Sequence, residues 1–281
     1  MRIVHVLHQY PPEFRGGTEA CVEGLARAQR ARDDEPIVVA GSDRRHPEGV
    51  VLVDTVEGVA VHRVLRRPGE NYSVDHRCAR VAEQVVELVA SLAPDVVHLH
   101  HTLNLSGDLA PRFVAAGFAV VGTLHDFTPV CARFFLSRPD GESCAQSFPL
   151  PSTRCHACVL PDFPAGADAL AYELEQRAST ARAHADALAF AIAPSRVVHA
   201  RWTASGLFDP ARLVVVPHAS PLADVPAAPR RLRTDGRLVL TTWGHLAPAK
   251  GVLDLLAAMR LVADPRLGLL VFGEPVDADF A

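Results

Sequence analysis

Short β-branched runs separated by stretches of helical periodicity recur along these 281 residues, and that alternation restricts the fold more than any other feature. IVHVL (Ile3 to Leu7) leads into an amphipathic helix over Thr18 to Arg32, then to the run PIVVAG. Val81, Val85, Leu88, Val89 and Leu92 repeat with the spacing of one buried helix face. That helix precedes PDVVHLH (Pro94 to His100), and a further helix precedes FAVVGTLH (Phe118 to His125). An Ala-rich helix over Ala165 to Ala187 leads to FAIAPS and RLVVVP, with Ser195 placed to cap a helix running to Ser205. Apolar strands alternating with helices predict an α/β fold, a parallel sheet covered on both faces.

The stretch SPLADVPAAPRRLRTDG (Ser220 to Gly236) is proline-rich and locally charged, and reads as a linker. Beyond it come RLVLTTWG, the helix KGVLDLLAAMRLVA and LGLLVFG. Two strands and one helix leave both sheet edges open. The expected organisation is a first domain over 1–224, a linker over 225–236, and a second, incomplete domain over 237–281.

Composition narrows the function. With 49% apolar and 21% charged residues and a formal charge of −4, the chain reads as a soluble globular protein with no basic patch for nucleic acid. MRIVHVLHQYPP lacks the unbroken apolar run of a signal peptide, so the cytoplasm is the expected compartment and the six cysteines are expected free or metal-bound rather than cross-linked. No GxGxxG, Walker, HExxH or GxSxG pattern is present, which disfavours dinucleotide oxidoreductases, NTPases and the common hydrolases. Asp277 and Asp279 are expected in a solvated acidic loop.

Two loops suggest phosphate chemistry. In RGGTEA, Gly16 and Gly17 lie between the first strand and first helix, either as a tight turn or as an anion seat at a helix N-terminus. In GHLAPAKG (Gly244 to Gly251), Lys250 stands where a cation opposes the helix dipole unless an anion binds there. His98, His100 and His101 are split between faces by strand alternation and are not expected to form a ligand set.

QYPPEFRGGTEACVEGLA, PDVVHLHH, GTLHD, AIAPS, VVVPHAS and WGHLAPAKGVLDLLAAM fall in the order seen in glycosyltransferase family four, which the chain resembles over nearly its whole length. The resemblance implies a GT-B fold of two Rossmann-like domains facing across a cleft, and sugar transfer from a nucleotide-sugar with retained anomeric configuration. It implies a UDP- or GDP-sugar donor, a glycan, lipid or small-molecule acceptor with peripheral membrane contact in view, and chemistry without a divalent metal. Gly16 and Gly17 match the pair that approaches the donor diphosphate, joined by Gly244 and His245. His125 matches the histidine beside the transferred sugar, its alternative role being a hydrogen bond to a neighbouring loop. Lys250 matches the lysine that neutralises the leaving diphosphate, where fixed cations and N–H dipoles lower the barrier.

This chain has Gly244-His245 where the family has Gly-Arg, and His218-Ala219 where Asn-Gly is common. The family's two donor-gripping glutamates have no counterpart before residue 281, so the chain as given is expected to be inactive. The rival readings are a zinc-stabilised binding module and a nucleotide-sugar isomerase or hydrolase of the same fold.

Cys131, Cys144, Cys155 and Cys158 fall in one loop-rich insertion over 131–158, and the CHAC pair has metal-gripping spacing. Tetrahedral zinc is the leading expectation, with unligated thiols and an iron–sulfur cluster as the alternatives. Some family members carry a similar insertion, without fixing the metal. Cys21 and Cys78, on predicted helices, are expected to be buried small hydrophobes.

Overall fold

The computed structural model describes residues 1–44, 50–70, 75–144, 153–218, 235–247 and 250–275. The chain divides into two compact units, Met1–Asp224 and Val225–Ala281. The linker stretch expected from the prolines, apart from its last two residues, lies outside the described residues, as do Asp277 and Asp279.

In the first unit β1 (Arg2–Leu7), α1 (Gly17–Arg30) and β2 (Glu35–Ser42) open the fold. They are followed by β3 (Leu52–Val56), β4 (Val59–Leu65), α2 (Ala79–Leu92), β5 (Val96–Leu99), α3 (Leu109–Ala115) and β6 (Val120–Thr123). Then come α4 (Thr153–Val159), α5 (Gly166–Ala187), β7 (Phe190–Ala193), α6 (Arg196–Ala204) and β8 (Leu213–Val215). The eight strands form one sheet in the order β3-β4-β2-β1-β5-β6-β7-β8. All pairings are parallel except β3 with β4. This is the α/β sheet the alternation predicts, with one addition. The antiparallel β3–β4 pair was not anticipated, although Glu57-Gly58 between its strands takes positive φ at both residues, the two-residue hairpin turn.

The period of two in the central strands sorts residues between two cores. Val4, Val6, Ile37, Val39, Val97 and Leu99 pack with α2 and α3 through Val85, Val89, Leu109 and Phe113. On the other face Leu7, Val38 and Ala40 pack against Val22 and Ala26 of α1. His5 lies on this α1 face, and hydrogen-bonds to His100 rather than joining the apolar cluster. Ser195 caps α6 as expected, its Oγ accepting from Val198 N–H at 3.2 Å.

The second unit, as described, is a βαβ element: β9 (Leu238–Trp243), α7 (Val252–Val262) and β10 (Leu267–Phe272), the strands parallel in register Leu238↔Leu267 to Trp243↔Phe272. No helix among the described residues is long and apolar enough to cross a membrane.

Candidate active site

β1 stands between β2 on one side and β5 on the other, so successive crossovers leave it in opposite directions. In such sheets the strand C-termini at the reversal open onto a crevice where ligands bind. Here those ends carry His8, His100 with His101, and His125 with Asp126.

The loop from β1 to α1 is held from below. Arg63 of β4, fully buried, donates to the carbonyls of Tyr10 (2.9 Å) and Pro11 and pairs with Glu13 and Asp54. Glu13 also accepts from Ser42 Oγ at 3.0 Å. The two glycines that follow have different reasons to be glycine. Gly16 is the N-cap of α1, and its N–H donates to the buried Glu19 carboxylate at 2.8 Å. A Cβ on Gly16 would lie 2.9 Å from that carboxylate and 3.0 Å from the Phe14 ring. A Cβ on Gly17 would meet nothing within 4 Å. Gly16 is thus spent on the cap, and Gly17 is the position where the main chain is open to an approaching group. The Glu19 carboxylate also lies 3.2 Å from His8 Nε2.

The histidines are organised in a way that motif spacing did not reveal. Gln29 Oε1, His5, His100, His125, His218 and the Cys21 thiol form one unbroken hydrogen-bonded chain, with contacts of 2.8, 3.0, 3.0, 3.1 and 3.3 Å in that order. Burial drives His5 down to about 4 against the opposing bond to Gln29. Burial, aided by His218 and His101, drives His125 to about 3. His100 is held well below the ordinary value by burial and its ring neighbours, and burial lifts the Cys21 thiol to about 11. Near neutral pH every ring is therefore neutral and the thiol protonated. A neutral imidazole donates once and accepts once. With Gln29 Oε1 as the terminal acceptor, one arrangement satisfies every group. Each ring carries its proton on Nε2 and accepts at Nδ1, and Cys21 donates to His218. His125 consequently gives its Nε2–H to His100 and offers Nδ1 towards His218, the one exposed ring of the chain.

The Asp126 carboxylate at this strand end is anchored separately. Burial would raise it, but His101 at 2.9 Å and the Thr128 N–H at 2.8 Å outweigh that and hold it at about 2. His98 and His100 stack with ring centroids 4.0 Å apart, while His101 turns to Asp126, so strand alternation divides the three as expected.

Among the described residues two trios have ligand atoms within 4.8 Å of one another, His5–His98–His100 and Cys21–His125–His218. The hydrogen-bonded chain already uses the lone pairs of most of these atoms. Cys21 and Cys78 are buried as expected, but Cys21 has a polar partner and is more than a small hydrophobe.

In the second unit Gly244 follows β9 and its N–H donates to Phe272 O at 3.0 Å. His245 comes next, and Lys250 is exposed directly before Gly251, the N-cap of α7, with its own N–H donating to Ala247 O at 2.9 Å. The helix start expected after the lysine is present. None of the six cysteines is in a disulfide, and Cys131, Cys144, Cys155 and Cys158 line a single cavity of about 630 Å³.

A family model described as Glycosyltransferase Family 4 matches residues 15–224. No curated protein matches the chain significantly. Among solved structures, the catalytic domain of starch synthase IV from Arabidopsis thaliana bound to ADP and acarbose is similar with a TM-score of 0.59 at 13% identity, covering 99% of this chain and 69% of that one. An E. coli trehalose-6-phosphate protein bound with UDP-2-fluoro glucose gives 0.61 at 12%, covering 100% and 66%. Anabaena HepE in complex with UDP-glucose gives 0.56 at 14%, covering 100% and 63%. The chain thus spans about two thirds of the length of these structures, and their likeness establishes the GT-B fold.

Proposed function

The chain belongs to glycosyltransferase family 4, and from that premise we propose that it moves a sugar from a UDP- or GDP-sugar to a glycan, lipid or small-molecule acceptor with retention of anomeric configuration. The observation that carries this reading is His125 at the C-terminal end of β6, bonded to His100 beside the sheet's reversal point and held neutral with Nδ1 towards the exposed His218. A neutral acceptor of that kind suits a sugar hydroxyl, which would take the place of His218 on Nδ1. Gly17 supplies main chain open to the donor's phosphates, and Lys250 supplies the cation that offsets charge on the leaving diphosphate. Solved structures of this fold that hold UDP-glucose, UDP-2-fluoro glucose and ADP support a nucleotide-linked donor. With lysine and backbone dipoles in that role, the transfer needs no divalent metal.

The test is calorimetric titration with UDP-glucose and a GDP-sugar, followed by NMR of any product to read its anomeric configuration. His125→Ala is expected to weaken donor-sugar binding, and Lys250→Ala to weaken binding of the donor's diphosphate, each at least about tenfold. Inversion at the anomeric carbon, or donor binding indifferent to both substitutions, would refute the assignment.

A further inference from the structure

The insertion between β6 and α5 has no part in the proposed transfer, yet it gathers four thiols from separated positions into one cavity. Cys131 closes a turn after the β6 strand end, its N–H donating to Phe127 O at 2.8 Å. A tight hairpin then returns the chain: Ser137 bridges Ser143, Gly141 turns with φ of 81°, and Cys144 N–H reaches Leu136 O at 2.6 Å. Cys155 and Cys158 stand three apart on α4, a spacing that places both on one helix face. Val159, Leu170 and Leu174, with Ala132 and Cys155 against them, dock α4 onto α5. The result is a packed frame around a thiol-lined void of about 630 Å³.

We propose that Cys131, Cys144, Cys155 and Cys158 ligate an iron–sulfur cluster of the cubane type. Three observations carry this beyond the zinc expected from spacing. First, four sulfurs on one zinc must lie about 3.8 Å apart, given a Zn–S length of about 2.3 Å. The trios of ligand atoms found within 4.8 Å of one another among the described residues do not include these thiols. Second, the cavity is far larger than a single ion requires, whereas a cluster brings its own sulfides to fill it. Third, a cluster with four thiolates accepts hydrogen bonds at its sulfurs, and the cavity wall carries the donors Arg133, Arg138, Arg154 and Arg177, of which Arg133, Arg138 and Arg177 also pair with Asp162, Asp140 and Glu173. The helical CxxC supplies two ligands, and each of the other two comes from its own turn.

The 281-residue chain, expressed with added iron and purified without oxygen, should be brown and carry about four iron and four acid-labile sulfide per molecule. Cys155→Ser and Cys158→Ser should each lose most of both, while Cys78→Ser, on α2's N-cap, keeps them. Far-UV circular dichroism of every variant separates loss of ligand from loss of fold. Reconstitution of the metal-free chain with equal ferric and ferrous iron and sulfide gives an independent readout, and donor titration is not needed for any arm. A colourless protein holding about one zinc would overturn the cluster. A folded chain that takes up neither iron nor sulfide on reconstitution would overturn the site.

Discussion

At the residue scale, the adjacent glycines divide the work of one loop. Gly16 is held to glycine by Glu19 and Phe14, so Gly16→Ala should disturb the bond from its N–H to the Glu19 carboxylate and cost about 1 kcal/mol in chemical denaturation. Gly17 has open space around it, so Gly17→Ala should leave stability within about 0.5 kcal/mol while weakening UDP-glucose binding measured by titration. Equal stability effects at both positions would contradict the division. The histidines make a second prediction. A ring whose folded pKa lies below its unfolded value binds fewer protons folded than unfolded, so its contribution is complete above about 6.5 and is lost as pH falls towards the folded value. For His5 and His184, both buried and held at about 4, the loss is roughly 2 kcal/mol each at pH 5. The melting temperature should therefore fall steeply between pH 7 and pH 5. A level profile there would show that these rings are not buried neutral. Asp126, held down at about 2, adds its own loss only below about pH 4.

At the element scale, β4 does more than extend the sheet. Its Arg63 fastens the loop that leads into α1, so removing that side chain leaves two loop carbonyls without their donor and takes a buried cation from Glu13 and Asp54. Arg63→Met should cost about 3–5 kcal/mol, as breaking a buried pair from one side does, with donor affinity falling at the same time. Urea unfolding and donor titration on the one variant read both effects. If the loop were held independently, affinity would survive the loss of stability. The β3–β4 hairpin that supplies this arginine was readable in principle from Glu57-Gly58. Its strands lack the apolar run of a buried parallel strand, because they form a half-polar antiparallel pair whose β3 is partly exposed along its length.

At the scale of the whole molecule, the two units differ sharply in how much they bury. The first encloses two apolar clusters around its sheet, while in the second Val252 is the buried apolar residue among those described, and Trp243, Leu261 and Phe272 are exposed. Local opening energy follows buried contact. Hydrogen exchange should accordingly be at least tenfold faster in β9 and β10 than in β1 and β5 of the same sample. Equal protection would show that the second unit has a buried core of its own.

The alternation of apolar strands with amphipathic helices was enough to specify a parallel α/β sheet, because a strand buried on both faces and a helix buried on one leave different periods in the chain. Ordered motifs pointed to the family; the Gly16-Gly17 pair and Lys250 stood out as residue types at helix starts, and His125 only through the resemblance. The imidazole chain could not be read this way. Gln29, His5, His100, His125, His218 and Cys21 come from five separate segments of the chain, Cys21 and Gln29 sharing α1, and only the sheet order that sets β1 beside β5 and β5 beside β6 brings them within hydrogen-bonding distance. Their tautomers follow from burial and mutual contact, which are properties of the folded neighbourhood and not of any one position. The same holds for the four thiols. Spacing marked CHAC as a pair, but the width of the cavity and the donors on its wall belong to the packing of α4 on α5.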